Sequence, residues 1–363
     1  MKLTLYKLLF CALLVPALGF ANKDLDGRHT KEKTIKKEFK VSQRGVLDIN
    51  NNYGNIDIST WDENRIVIQV FIKTNGDDPE RVQKKLNDIS VDFQQSGNRV
   101  SARTRYQKEE KSWWSGLFSS SNNVNMEINY VVKAPVNHDM VIDNDYGAIY
   151  IDKVNGNTDI SCDYGKIDIG ELRGSRNILN FDYTRNSHFG FISSAEIDAD
   201  YSEFTIEEAE DLIISADYTD SKVEKVERLR YNCDYGSFRV DKVKDLEADG
   251  DYLSTKIGRV FSSLSLNQDY GSISIEKLIN GVKSVNIDTD YAGIKLGFDA
   301  EMDFIFNVHT SYGSVKGTDD LEVQKRHDRN TSKEISGYYG KQNSQNSINI
   351  TTSYGSVSFH KEY

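Results

Sequence analysis

Nine aspartates stand immediately before a tyrosine, at nearly even intervals: Asp145, Asp163, Asp182, Asp200, Asp217, Asp234, Asp251, Asp269 and Asp290. A row of carboxylates can do three kinds of chemistry. It can gather hard cations, which favour clustered oxygen ligands. It can supply two carboxyl groups for glycosidic acid–base work, which needs them about 5–9.5 Å apart across a cleft. It can also hold turns, each side chain accepting backbone N–H groups of its own turn. Turn capping is the expectation, because the aspartates recur by position instead of converging, and calcium-binding glycine-rich nonapeptides are absent. No metal or other cofactor is expected.

Other reactive residues are sparse. His29, His138, His188, His309, His327 and His360 show no metal-ligand spacing. Nucleophile-elbow and phosphate-loop motifs are missing. His188, near Arg185 and Asn186, replaces an aliphatic residue in a regular pattern, and a local bulge in TRNSHFGF accounts for it. A different candidate is the stretch KEEKSWWSGLFSSSNN, 108–123, where Trp113, Trp114, Leu117 and Phe118 interrupt a Ser-rich segment. Exposed, these four could engage a glycan, a partner protein or a membrane interface. Folding back onto neighbouring strands is the preferred alternative.

The elements that carry the aspartates follow from a repeat. Tyrosines recur at 146, 164, 183, 201, 218, 235, 252, 270, 291 and 312, at steps of 17–21 residues, with further copies at Tyr53 and Tyr354. Four residues before the tyrosine stand Ile142, Ile160, Leu179, Ile197 and Ile214; five after it, Ile151, Ile169, His188, Ile206 and Val223; eight after it, Val154, Leu172, Phe191, Ala209 and Val226. Polar residues alternate with them, so each segment reads as strand, turn, strand, turn. One segment cannot bury its apolar side alone, but stacked copies can, about 4.8 Å apart. The expectation is an all-β, single-stranded, right-handed parallel β-helix of about ten 17–21-residue coils. Tyrosines would form a ladder at one corner, with the following glycine supplying the turn conformation. Carboxylates at that pitch repel by roughly 3 kcal/mol per neighbour pair at an effective dielectric near 20, so they need compensation. Cys162 and Cys233 share one position four coils apart, about 19 Å. A disulfide cannot span that, and free buried thiols are expected.

Around this core, residues 1–21 (MKLTLYKLLFCALLVPALGFA) have the layout of a signal peptide. Phe10 before Cys11 argues against lipidation. Residues 22–134 read as an N-terminal α+β capping segment. It contains a strand at Arg65–Thr74, a short helix over 79–90 with Val82, Leu86 and Ile89 on one face, a hairpin around Ser96-Gly97, and a strand at Asn125–Lys133. Residues 135–363 read as the β-helix domain, with a polar insertion at 316–346 expected to be a mobile loop. The net charge of −11 comes without a basic cluster, which argues against nucleic-acid binding. No later stretch suits a spanning helix, so no transmembrane anchor is expected.

The stretches VLDINNNYGNIDISTWDENRIVIQV, NYVVKAPVNHDMVIDNDYGAIYIDKVNG and SINITTSYGSVSF, in that order, resemble the bacterial putative adhesin family of exported proteins. The likeness runs from Thr34 to His360. It implies a β-helix-like fold and transfers no binding residues. The expected function is a non-catalytic envelope protein in the Gram-negative periplasm or at the cell surface, an adhesin or scaffold whose partner is an envelope protein or glycan. End-to-end self-association stays open. The alternatives are a polysaccharide-active β-helix enzyme and an outer-membrane β-barrel.

Overall fold

A computed structural model describes residues 27–107 and 124–363. Residues 1–21 and the aromatic stretch at 108–123 lie outside the described residues. The described residues are nearly all β, 73% strand with one helix, in one large sheet that does not close on itself. Closure is what a membrane barrel requires.

The N-terminal part comprises β1 (His29–Lys40), β2 (Val46–Asn52), β3 (Ile56–Trp61), β4 (Arg65–Gly76), α1 (Pro79–Asp88), β5 (Ile89–Ser96), β6 (Arg99–Tyr106) and β7 (Asn125–Pro135). Helix α1 starts where Asp78 can cap it: its side chain accepts from the N–H groups of Glu80 and Arg81 at 2.9 and 3.2 Å. The helix stops at Asp88, two residues short of the expected end. Ile89 opens β5 but is still buried, as are Val82 and Leu86. Strands β1, β4 and β7 pair antiparallel in that order, and β5 and β6 form the hairpin. Strands β6 and β7 then lie parallel to β2 and β3.

Next come β8 (Asp139–Asp145), β9 (Ala148–Val154), β10 (Thr158–Asp163), β11 (Lys166–Leu172), β12 (Asn177–Asp182), β13 (Ser187–Asp198), β14 (Glu203–Ser215), β15 (Thr219–Asn232), β16 (Gly236–Leu278), β17 (Ser284–Asp290) and β18 (Ala292–Asp299). Here every pairing between successive tyrosine-marked segments is parallel. Ile142 faces Ile160, then Leu179, Ile197, Ile214, Tyr231 and Ala248 across successive strands. None of these seven is more than 8% exposed. Each such side chain contributes about 1.5–3 kcal/mol by leaving water, before conformational entropy is counted.

The pattern slips at two places, one of them between Ile275 and Leu278, where β16 gains a residue against β18. At the other, Asn186 takes a left-handed conformation (φ 55°) and absorbs an extra residue. Phe189 and Ile192 consequently pair with Ile169 and Leu172, in place of His188 and Phe191. His188 is turned outward by the bulge.

The C-terminal end departs from sequence order. It holds β19 (Phe304–Ser311), β20 (Ser314–Lys316), β21 (Glu322–Asp328), β22 (Ser332–Tyr339), β23 (Ser347–Ser353) and β24 (Ser356–Glu362). Strand β23 pairs in parallel with both β17 and β19, and β24 with both β18 and β20. The last segment of the chain is thus slotted between two earlier ones. Residues 316–346 are not simply a loop: β21 and β22 form a hairpin, and β22 runs antiparallel along β19. The N-terminal end is built alike, with β2 held between β6 and β8. Cys162 and Cys233 are free and buried.

Candidate functional site along the tyrosine column

Twelve tyrosines meet on one edge of the sheet. From Tyr53 through Tyr146, Tyr164, Tyr183, Tyr201, Tyr218, Tyr235, Tyr252, Tyr270 and Tyr291 to Tyr354 and Tyr312, neighbouring rings stack with centroids 4.7–5.2 Å apart and planes within 1–8°. The spacings add to a column about 54 Å long. Tyr312 does not follow Tyr291, because Tyr354 intervenes.

The turn conformation belongs to the tyrosine, not to the glycine after it. All twelve tyrosines have φ between 52° and 66°, a region that costs an L residue about 1–2 kcal/mol. The glycine has a different reason. A Cβ on Gly147 would stand 1.9 Å from the Gly54 carbonyl oxygen, and one on Gly165 2.0 Å from that of Gly147. Where Thr219 occupies this position its hydroxyl is used, donating to the carbonyls of Ala199 or Asp217 at 2.8 and 2.9 Å.

The aspartates cap neighbours instead of their own turns. Oδ1 of Asp182 accepts from the N–H of Asp200, Asp200 from Asp217, Asp217 from Asp234, Asp234 from Asp251, Asp251 from Asp269 and Asp269 from Asp290, at 2.8–3.2 Å. Tyrosine N–H groups in turn donate to carbonyls of the adjoining segment, as Tyr201 does to Asp217 at 2.9 Å. Backbone amides thus supply the compensation that a carboxylate row requires. It is incomplete near the N-terminal end, where burial, reinforced by neighbouring carboxylates, raises the pKa of Asp143, Asp145 and Asp163. Among the described residues, no group of three or more His, Cys, Asp or Glu side chains could hold a metal ion.

Trp113, Trp114, Leu117 and Phe118 fall outside the described residues. His188 lies on the outer face between two carboxylates, with Nε2 3.0 Å from Glu207 Oε1 and Nδ1 3.6 Å from Asp168 Oδ1.

Sequence reasoning missed a shallow groove of about 650 Å³ on the outer face. It crosses successive segments from Arg176 to Asn286 and includes Ile178, Ile213, Arg228, Arg230 and Glu247. Its charges are paired along the stack: Arg228 Nε lies 2.6 Å from Asp211, and Arg230 Nε 3.1 Å from Glu247. The signal for it is the mixture of apolar and oppositely charged residues at one strand position, Glu196, Ile213, Arg230 and Glu247, visible only once segments are aligned.

No protein-family model matches the chain, and no curated protein does. Solved structures are similar at low identity. A putative cell adhesion protein from Clostridium sporogenes is 12% identical over 92% of this chain and 100% of its own, with a TM-score of 0.21. A putative adhesin from Parabacteroides distasonis is 7% identical over 76% of this chain and 94% of its own, at 0.35. A putative lipid binding protein from the same species is 9% identical over 90% and 96%, at 0.33.

Proposed function

We propose that this chain is a non-catalytic, exported envelope protein that binds an extended envelope glycan along the groove on its outer face. The tyrosine-marked segments are read as successive turns of a right-handed parallel β-helix, capped by residues 22–134 at one end and by the β21–β22 hairpin at the other. The observation that carries this reading is the groove itself. It runs across the stacked segments, and its polar and charged groups repeat instead of converging on one point. Such a strip suits a polymer with repeated hydroxyls better than a single reacting bond.

The test is co-sedimentation of the purified protein with insoluble envelope polysaccharide, alongside an assay for new reducing ends. Binding without bond cleavage is expected. Ile213→Asp and Arg230→Glu should weaken it about tenfold, whereas Trp113→Ala with Trp114→Ala reports on the aromatic stretch as a second contact. Unaltered binding in the groove variants, or release of reducing ends, would overturn the reading.

A further inference from the structure

The chain has no run of basic residues, but the stack assembles a basic row from residues far apart in sequence. Four residues after the tyrosine, each strand turns a side chain outward. On the last five strands, in stacking order, these are Lys256, Ser274, Lys295, Ser358 and Lys316. Lysine therefore stands on every second strand. Ring spacings of 4.7 and 4.9 Å separate each lysine-bearing strand from the next, about 9.6 Å in all. Chain order alone would put Lys295 and Lys316 on adjacent strands. The slotting of β24 between β18 and β20 sets Ser358 between them.

Repulsion between like charges on neighbouring strands accounts for the alternation. It does not account for the missing partners. In the middle of the molecule the same position carries Lys222 and Arg239, and carboxylates two residues further on neutralise them. Lys222 Nζ lies 2.6 Å from Glu224, and Arg239 Nε 2.7 Å from Asp241. Beyond Asp241 that flanking position holds Gly258, Glu276, Gly297 and His360. Lys256, Lys295 and Lys316 are exposed, and among the described residues no hydrogen bond or ion pair engages them. Nearby, Asp299 pairs with Lys277 at 3.2 Å and Asp320 with Lys361, which leaves Glu276, Glu362 and Asp319 against the row. Over the residues two to eight positions after Tyr235, Tyr252, Tyr270, Tyr291, Tyr354 and Tyr312, eight lysines and arginines meet six carboxylates. The chain as a whole has 45 against 56, so the excess of cations is local.

The flanks decide what kind of anion fits. Two residues after the tyrosines stand Ser254, Ser272, Ser356 and Ser314, with the open Gly293 among them. This is a row of hydroxyls beside the lysines, suited to a partner rich in hydroxyls. Next to it run the ring edges of the tyrosines, which are electropositive. The ring faces are spent on each other, leaving no platform on which bases could stack. Asp251, Asp269 and Asp290 precede the tyrosines and lie across the ring column; Asp251 and Asp269 already hold backbone N–H groups. Charges about two strands apart, with neutral hydroxyls between, match a polymer of sparse charge. A linear polysaccharide with one carboxylate per disaccharide carries its charges at close to that interval.

We infer that the row from Lys256 to Lys316 is a binding site for a linear acidic glycan lying across the strands. The row follows the tyrosines and the groove precedes them, so the two sites stand or fall separately. Hyaluronan, which has one carboxylate per disaccharide, serves as the probe. An end-labelled oligosaccharide is titrated at low salt and followed by fluorescence anisotropy, with carboxyl-reduced hyaluronan as the neutral analogue and circular dichroism to check each variant's fold. Saturable binding is expected, weakening as salt shortens the Debye length, and about tenfold weaker for the reduced polymer. The triple variant Lys256→Gln, Lys295→Gln, Lys316→Gln should also bind about tenfold more weakly. Ser274→Glu, which sets a carboxylate between two of the lysines, should weaken binding without removing a cation, and Glu276→Gln should strengthen it. Lys36→Gln, Lys37→Gln, Lys40→Gln removes the same charge from the exposed face of β1 and should leave affinity unchanged. Absence of binding at low salt, equal binding of the reduced polymer, or equal losses in the two triple variants would each overturn the site. So would equally tight binding of oligothymidylate or of anionic phospholipid vesicles.

Discussion

At the scale of single residues, burial sets both the thiols and the carboxylates. Cys162 and Cys233 are inaccessible, and burial pushes their pKa up to about 12 and about 11. A thiol reagent at pH 8 should therefore label neither Cys162 nor Cys233 in the native protein and both after denaturation; fast native labelling would refute their burial. Asp143, Asp145, Asp163 and Asp198 have raised pKa values, with desolvation the largest cause in each. The folded chain then holds protons that the unfolded chain, near 3.9, has released. Stability falls as pH rises through that window and is recovered on acidification. Lowering the pH from 7 towards 4 should raise the melting temperature. Asp163→Asn, which keeps an acceptor for the Asp182 N–H, should raise it at pH 7 and change it little at pH 4. A variant no more stable than wild type at pH 7 would count against this account.

At the scale of elements, tyrosine and glycine divide the labour of each corner. Gly165→Ala drives a Cβ into the Gly147 carbonyl and towards Cys162 Sγ, 2.9 Å away. It should cost about 1–3 kcal/mol in a denaturant titration. Tyr218→Gly relieves the backbone but loses two stacking contacts and the buried half of the ring, so its cost should be about 2–4 kcal/mol. A Tyr218→Gly loss well below 1 kcal/mol would mean that the ring adds nothing to the corner. Strand periodicity, the Asp78 cap and the apolar positions were legible because they depend on neighbours within one segment. The φ of the tyrosine was not, since composition favours glycine in that role and only the closeness of the adjoining carbonyl reassigns it. The one-residue slip at Asn186 was legible as an odd histidine, though not in its direction.

At the scale of the whole molecule, both ends are closed by charge and by chain order. Strand β1 pairs with β4 and leaves Lys31, Lys36, Lys37 and Lys40 exposed along its other edge. Strand β21 is exposed throughout and carries Lys325 and Arg326. Charged edges oppose strand addition from another copy. Sedimentation should give a monomer, and Lys325→Val with Arg326→Ile on β21 should shift it towards larger, concentration-dependent species. Reversible oligomers of the wild type growing through these edges would show that the lysines do not guard them.

The sequence by itself determined the period, the apolar positions and the separation of the cysteines, because each follows from alternation repeated at a nearly fixed step. Only the tertiary structure decided the stacking order at the ends, since chain order does not say that a later strand will fit between two earlier ones. It also decided what the aspartates hold. Their partners are the amides of the adjoining segment, 17–21 residues away, and a contact between segments has no trace in the spacing within one.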